Sequence, residues 1–408
     1  MGILFPLVLS GQTDPAVLLR QARTKILENI GKLPNYTCVQ TVRRSQFEVF
    51  YGSGGCSYVD ETGGAKGRFQ PMLAWTDRFK LDVTISSEGE IFSWAGARIF
   101  ESTDAQEIVG GGLTGTGDFG GFLKSIFSGD TSAYQYLGPE RIEGRDLAAY
   151  RYQMPLSGSH YQIKAGPRPE DLATLAYEGK FWIDPANAEL ARMTVIVPRL
   201  PMKTETCRIE TTIDYQPRLP LPRLTLLKLW DADGARYENR TEYASCRAFQ
   251  SESVFRPDLE SSIGDSAPVA KTPVSIPRGK ALRIVLRSKI DLENAFAGDP
   301  VEGQLLQPIR GHGGSVLAPR GATVHGRIVR FEQHYLPSRY FVLGLKYYSL
   351  VANGVEIPLA LAFTARSRAE RDLMGSLEKR EGIGMFVFQG EPLALDGAFV
   401  SEWKTTAR

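Results

Sequence analysis

Cysteine and histidine are scarce in this sequence, with four of each in 408 residues, and neither sign of charge dominates. Each scarcity excludes something. Cys38, Cys56, Cys207 and Cys246 form no C-x-x-C pair and show no metal-like spacing, which argues against zinc ribbons and thioredoxin-type redox chemistry. His160, His312, His325 and His334 are too widely spaced for a paired ligand set, so no metal site is expected. Forty-eight Lys and Arg against 46 Asp and Glu leave a formal charge of +2. A dedicated nucleic-acid binder needs a concentrated basic surface, so no nucleic-acid partner is expected. No apolar run approaches the ~18–20 residues that span a bilayer as a helix. A G-x-S-x-G elbow and a recognisable pair of catalytic carboxylates are also missing. The expectation is a protein without catalytic residues or a cofactor, and not an enzyme.

Glycine, proline and aromatic residues are plentiful: 41 Gly, 24 Pro, and 10% Phe, Trp and Tyr. Many turn formers beside many bulky strand formers point to β structure. One helix opens the pattern. Asp14-Pro15 supplies an N-cap and a first-turn proline, and Val17, Leu18, Ala22, Ile26 and Ile30 recur at helical spacing. Beyond Tyr36 the period changes to two. Phe79, Leu81, Val83 and Ile85 alternate, and short Gly, Asp or Asn turns separate apolar runs through residue 249. Successive hairpins with few helices between them predict an antiparallel meander.

The pattern lapses over residues 256–273, which read as a linker, and a second β-rich stretch follows over 274–365. Residues 13–255 are thus expected to form the first domain and 274–365 a small β-barrel, with 366–408 packing on one of the two. Charge separates them as well. Residues 1–273 hold 30 basic and 33 acidic side chains, and residues 274–365 hold 11 and 6. The second part is mildly basic and suits peripheral contact with an anionic membrane surface.

Ile3 to Leu9 followed by Ser10-Gly11 looks like the apolar core and cleavage region of a secretory signal, although a basic start is missing. Residues 1–12 are read as a signal-peptide remnant, and the location as periplasmic or otherwise exported. In an oxidising compartment four cysteines allow three disulfide connectivities. Cys38–Cys246 is favoured, because each lies at one end of the first domain on an expected strand.

Gly115-Thr116-Gly117-Asp118-Phe119-Gly120 fits G-x-G-x-x-G, but the sequence around it runs into a hairpin and not a second parallel strand. A structural part is expected instead, with the glycines allowing a tight path and Asp118 capping a helix over 118–127. The aromatics carry the functional hint. Trp75, Phe79, Phe92, Trp94, Tyr134, Tyr136 and Phe181 give the first domain more large apolar surface than a flat sheet needs. A strongly curved sheet could wrap them around a hydrophobic cavity or simply bury them as core.

The opening helix, the uninterrupted meander and the segments Tyr134-Gln135-Tyr136-Leu137-Gly138 and Gly144-Arg145 resemble the lipoprotein-localisation carriers of the LolA/LolB superfamily, over about residues 13–250. Leu33-Pro34-Asn35-Tyr36-Thr37-Cys38 and Phe92-Ser93-Trp94-Ala95-Gly96-Ala97-Arg98 look like exported proteins of acidobacteria-type genomes. Ile276-Pro277-Arg278-Gly279 and Leu317 to Arg327 are similar to small β-barrels of type IV secretion and conjugation scaffolds. The first resemblance implies a curved antiparallel sheet, or half-barrel, with an N-terminal helix and an apolar cavity. The last implies assembly with an envelope protein partner through the C-terminal barrel. The function expected is binding of a lipid, lipoprotein or other hydrophobic ligand in the cell envelope. The alternative is a structural scaffold whose core is filled.

Overall fold

The computed structural model describes residues 14–32, 36–49, 55–56, 71–86, 89–97, 100–115, 117–129, 133–164, 172–198, 200–201, 204–218, 221–248, 276–364, 382–390 and 394–406. The expected signal remnant, the linker and the charged stretch at 366–380 lie outside these residues. Helix α1 (Pro15–Ile30) begins as the sequence predicts. Asp14 accepts from the Ala16 amide at 2.8 Å, and Leu18, Ala22 and Ile26 form its buried stripe. Two shorter helices follow, α2 (Ala105–Val109) and α3 (Gly121–Ser128).

Strands β1 (Tyr36–Glu48), β2 (Met72–Ser86), β3 (Gly89–Trp94), β4 (Ala133–Ile142) and β5 (Arg145–Met154) begin the meander. The short pair β6 (Gln162–Lys164) and β7 (Leu172–Thr174) stands apart. Strands β8 (Tyr177–Asp184), β9 (Glu189–Val197), β10 (Thr206–Tyr215), β11 (Pro222–Asp231) and β12 (Arg236–Ala248) complete it. The antiparallel order is β4–β5–β8–β9–β10–β11–β12–β1–β2–β3, so the first strand in sequence is inserted beside the last. Register irregularities in β1, β4, β9 and β10 add local twist and help to bend the sheet into a half-barrel. Gly179 permits one close crossing, because a Cβ there would sit 1.9 Å from the Thr194 carbonyl oxygen.

A second group of strands begins with β13 (Ala281–Leu286), β14 (Ile290–Asp291), β15 (Pro300–Leu305), β16 (Ile309–Arg310), β17 (Val316–Ala318) and β18 (Thr323–His334). It continues with β19 (Tyr340–Ala352), β20 (Val355–Pro358), β21 (Leu361–Phe363), β22 (Gly384–Gln389), β23 (Ala394–Leu395) and β24 (Val400–Thr405). The ladder β21–β24–β13–β15–β18–β19–β22 wraps a core that includes Ile284, Leu286, Val324, Phe341 and Trp403. Its ends approach through side chains, with Phe363 meeting Phe386 at 4.9 Å between ring centroids.

The two groups of strands meet directly. Strand β2 pairs with β3 along Leu81–Ser86 and with β18 at Trp75, Thr76 and Asp77. Around that seam Lys80 pairs with Asp299 at 2.7 Å, and Arg327 donates to the carbonyls of Ala95 and Gly298. The Arg78 guanidinium lies over the rings of Phe296 and Phe331. One buried apolar cluster consequently runs from Cys38, Phe79 and Phe92 into Leu282, Val324 and Leu345.

Both disulfides are formed. Cys38–Cys246 ties β1 to β12, as favoured from the sequence, and Cys56–Cys207 is the second pair.

Candidate functional site

Alternation along the strands decides what faces the concave side. One row across the sheet reads Tyr150, Phe181, Met193, Ile213, Thr225, Thr241, Val42 and Phe79 from β5 round to β2. All of these residues are buried. The β5–β10 side is aromatic and aliphatic, whereas the β11–β12 side is polar. The next row repeats the change: Val195, Thr211, Leu227, Asn239, Arg44 and Asp77.

The apolar side is filled. Helices α1 and α3 lie on it, and Phe127, Tyr134 and Phe181 pack edge-to-face and stacked beneath them. Tyr150 donates to the Pro15 carbonyl at 2.8 Å. Arg23 of α1 donates to the carbonyls of Phe127 and Gly129, which satisfies the C-terminal end of α3.

Beside α3 the filling stops. A cavity of about 400 Å3 opens between α3, the Gly-rich loop before it, β10 and β11. Phe122, Tyr161, Ile209, Leu227 and Leu229 supply apolar wall; Asp118, Ser125, His160 and Thr211 supply polar groups. The loop is held from below. Glu90 of β3 accepts the amides of Gly117 (3.2 Å) and Phe119 (2.8 Å), and Asn239 donates to the Leu113 carbonyl at 2.6 Å. Gly117 has φ +96° with the Phe122 ring beside it, a backbone state that a side chain would strain.

The expected cap is corrected here. Helix α3 starts at Gly121, not at Asp118, and Gly120 occupies its N-cap without a side-chain bond. Asp118 turns inward, where its Oδ2 receives the Tyr243 hydroxyl at 3.4 Å, and Gln40 donates to that hydroxyl at 3.1 Å. The residue is 8% exposed. A second cavity of about 30 Å3 shares Thr114, Gly115, Asp118 and Leu227 with the larger one and is lined further by Thr225, Asn239 and Thr241. Burial pushes the Asp118 carboxyl up to about 6. Burial, with Asp118 nearby, pushes Glu90 up to about 7. Burial also raises the Tyr243 and Tyr215 hydroxyls.

The seven aromatics expected to line a cavity are dispersed. Tyr134 and Phe181 belong to the packed cluster under the helices, and Tyr136 is 43% exposed on β4. Phe79 and Phe92 border the small cavity. Trp94 borders a separate cleft of about 300 Å3 at the seam, and Trp75 stacks near His334. None of the seven lines the 400 Å3 cavity. Its apolar wall comes from Leu and Ile on β10–β11 and from α3, on the face that the two-residue period of those strands identifies.

No protein-family model and no curated protein matches the chain. Among solved structures the chain is similar to a LolA superfamily protein of Nitrosomonas europaea, at 10% identity and TM-score 0.23, over 58% of this chain and 94% of that one. It is likewise similar to a DUF1329 family protein of Desulfovibrio piger (10% identity, TM-score 0.26, 58% and 94% covered). A domain described as outer membrane lipoprotein-sorting, from Vibrio parahaemolyticus, gives 10% identity and TM-score 0.25, with 59% and 93% covered. At these scores the half-barrel rests on the strand order of the chain itself.

Proposed function

We propose that this is an exported, non-catalytic protein of the cell envelope that binds a lipid, a lipoprotein acyl chain or another hydrophobic ligand. The site is the cavity between α3 and β10–β11. Its volume, about 400 Å3, is the observation that carries the reading. That size falls within the ~300–1,000 Å3 of small-molecule pockets, and a lining of apolar side chains mixed with polar groups suits an amphipathic guest. Two disulfides fit an oxidising compartment.

The packed aromatic cluster under α1 and α3 supports a second reading, a structural scaffold whose second strand group meets an envelope partner. The same mildly basic group suits peripheral contact with anionic lipid. Binding separates the two readings. Titrating the full chain with a fluorescent fatty acid is expected to give saturable one-to-one binding. Ser125→Trp, which places a large ring in the cavity, is expected to weaken that binding at least tenfold while the melting temperature holds. Absence of saturable binding by the wild-type protein would leave the scaffold reading.

A further inference from the structure

The inner end of the cavity is chemically one-sided. Asp118 stands where the larger cavity meets the smaller one, and among the described residues no Lys, Arg or His lies within ion-pair distance of it. A buried carboxylate without a counter-charge is costly, and such groups are ordinarily paired. A second acceptor is also left open. The Asn239 side chain spends its amide on the Leu113 carbonyl, and its Oδ1 has no hydrogen-bond partner although the residue is 5% exposed. Asn239 and Asp118 line the same small cavity. Hydroxyls of Tyr243 and Thr225 stand beside Asp118, but they are neutral, so the site holds a carboxylate without a counter-charge and an amide oxygen without a donor.

Its size narrows the guest further. About 30 Å3 accommodates a group the size of one or two waters, since a single water needs ~10–15 Å3 of such space. A phosphate or a trimethylammonium group exceeds that. A primary ammonium has water-like dimensions, a positive charge and three N–H donors.

We infer that the ligand of the cavity is an amphiphile with a primary ammonium head, seated between Asp118 and Asn239, with its chain along Leu227, Leu229 and Phe122. This rests on the hydrophobic-ligand reading and adds the headgroup class. Groups facing Asp118 from neighbouring elements are Glu90 on β3, Tyr215 on β10, Tyr243 on β12, and His160 and Tyr161 at the cavity mouth. None of them provides a permanent cation.

The test compares probes of one chain length on the full-length protein at pH 7.5: dodecylamine, dodecanol, dodecanoate and dodecyltrimethylammonium, by competition against a fluorescent fatty acid. Dodecylamine is expected to bind at least tenfold more tightly than the other three. Asp118→Asn is expected to erase that preference while dodecanol binding is retained. Should the variant misfold, the wild-type protein still decides: the amine preference should shrink as pH falls below about 6, with His160→Gln behaving like wild type. Butylamine competing as well as dodecylamine would support the ammonium site and make a soluble amine its source. Equal binding of all four C12 probes, or a preference for dodecanoate, overturns the headgroup assignment and leaves the hydrophobic-ligand reading standing. Binding of none of them overturns both.

Discussion

Asp118 is a residue held at a cost to the fold. Burial raises its carboxyl from an ordinary 3.8 to about 6, so the native state keeps its proton over a pH range in which the unfolded chain has released it. Between those values stability falls as pH rises, and above about 6 the penalty is fully present. The shift corresponds to about 3 kcal/mol. Asp118→Asn is therefore expected to match wild type in urea unfolding near pH 4 and to exceed it by about 2–3 kcal/mol at pH 7.5. Equal stability at both pH values would contradict a desolvated, unpaired carboxylate. Gain of stability with loss of amine preference is the trade-off expected of a binding residue. In the sequence Asp118 reads as a helix cap, because Asp before an apolar run is the usual N-terminal signal. The positive-φ glycines on either side of it, Gly117 and Gly120, turn it inward instead, a path that residue type alone does not encode.

Strand β1 shows what is legible at the level of an element. Its antiparallel setting follows from alternation and turn residues, and the bond from Cys38 to Cys246 is the favoured one of the three connectivities that four cysteines allow, whereas its pairing with the distant β12 is not legible. Nor is the polar inner stripe. Arg44, Asp77, Asn239 and Thr241 occupy the period-two positions where polar residues ordinarily mark the solvent face. Arg44 and Asp77 can point inward because they satisfy each other, and Asn239 because it donates to the Leu113 carbonyl. Arg44 Nε donates to Asp77 Oδ1 at 2.8 Å, its Nη2 also reaches Asp77, its Nη1 reaches the Gly111 carbonyl at 2.7 Å, and its guanidinium lies over Phe79. Both side chains are buried. Removing one partner strands the other charge, so Arg44→Ala is expected to cost about 3–5 kcal/mol in urea unfolding. Replacing both, as Arg44→Met with Asp77→Leu, should cost much less. A similar loss in the single and double variants would show that the pair is not the stabilising unit.

For the whole molecule, composition suggests two units of different charge, and the contacts between them come from residues more than 200 positions apart, which local patterns cannot reveal. Arg78 over Phe296 and Phe331, the Lys80–Asp299 pair and the β2–β18 ladder fuse the half-barrel to the second group of strands. A single calorimetric unfolding transition is expected for the intact protein, and Arg78→Ala with Lys80→Ala should separate it into two. Two transitions in the wild type would contradict the fused core. The location of the 400 Å3 cavity is equally hidden, because the conspicuous aromatics are dispersed among the helix-covered cluster, the small cavity, the seam and the surface, whereas Leu227, Leu229 and Ile209 border open space beside α3.

The central claim is that this space holds a hydrophobic guest. Native mass spectrometry of the full chain, exported into an oxidising envelope and purified without detergent, addresses it most directly. One lipid-sized adduct per chain, absent from Ser125→Trp, is the expected result. Bare protein mass in both forms, with no adduct after incubation with dodecylamine or a fatty acid, would contradict it.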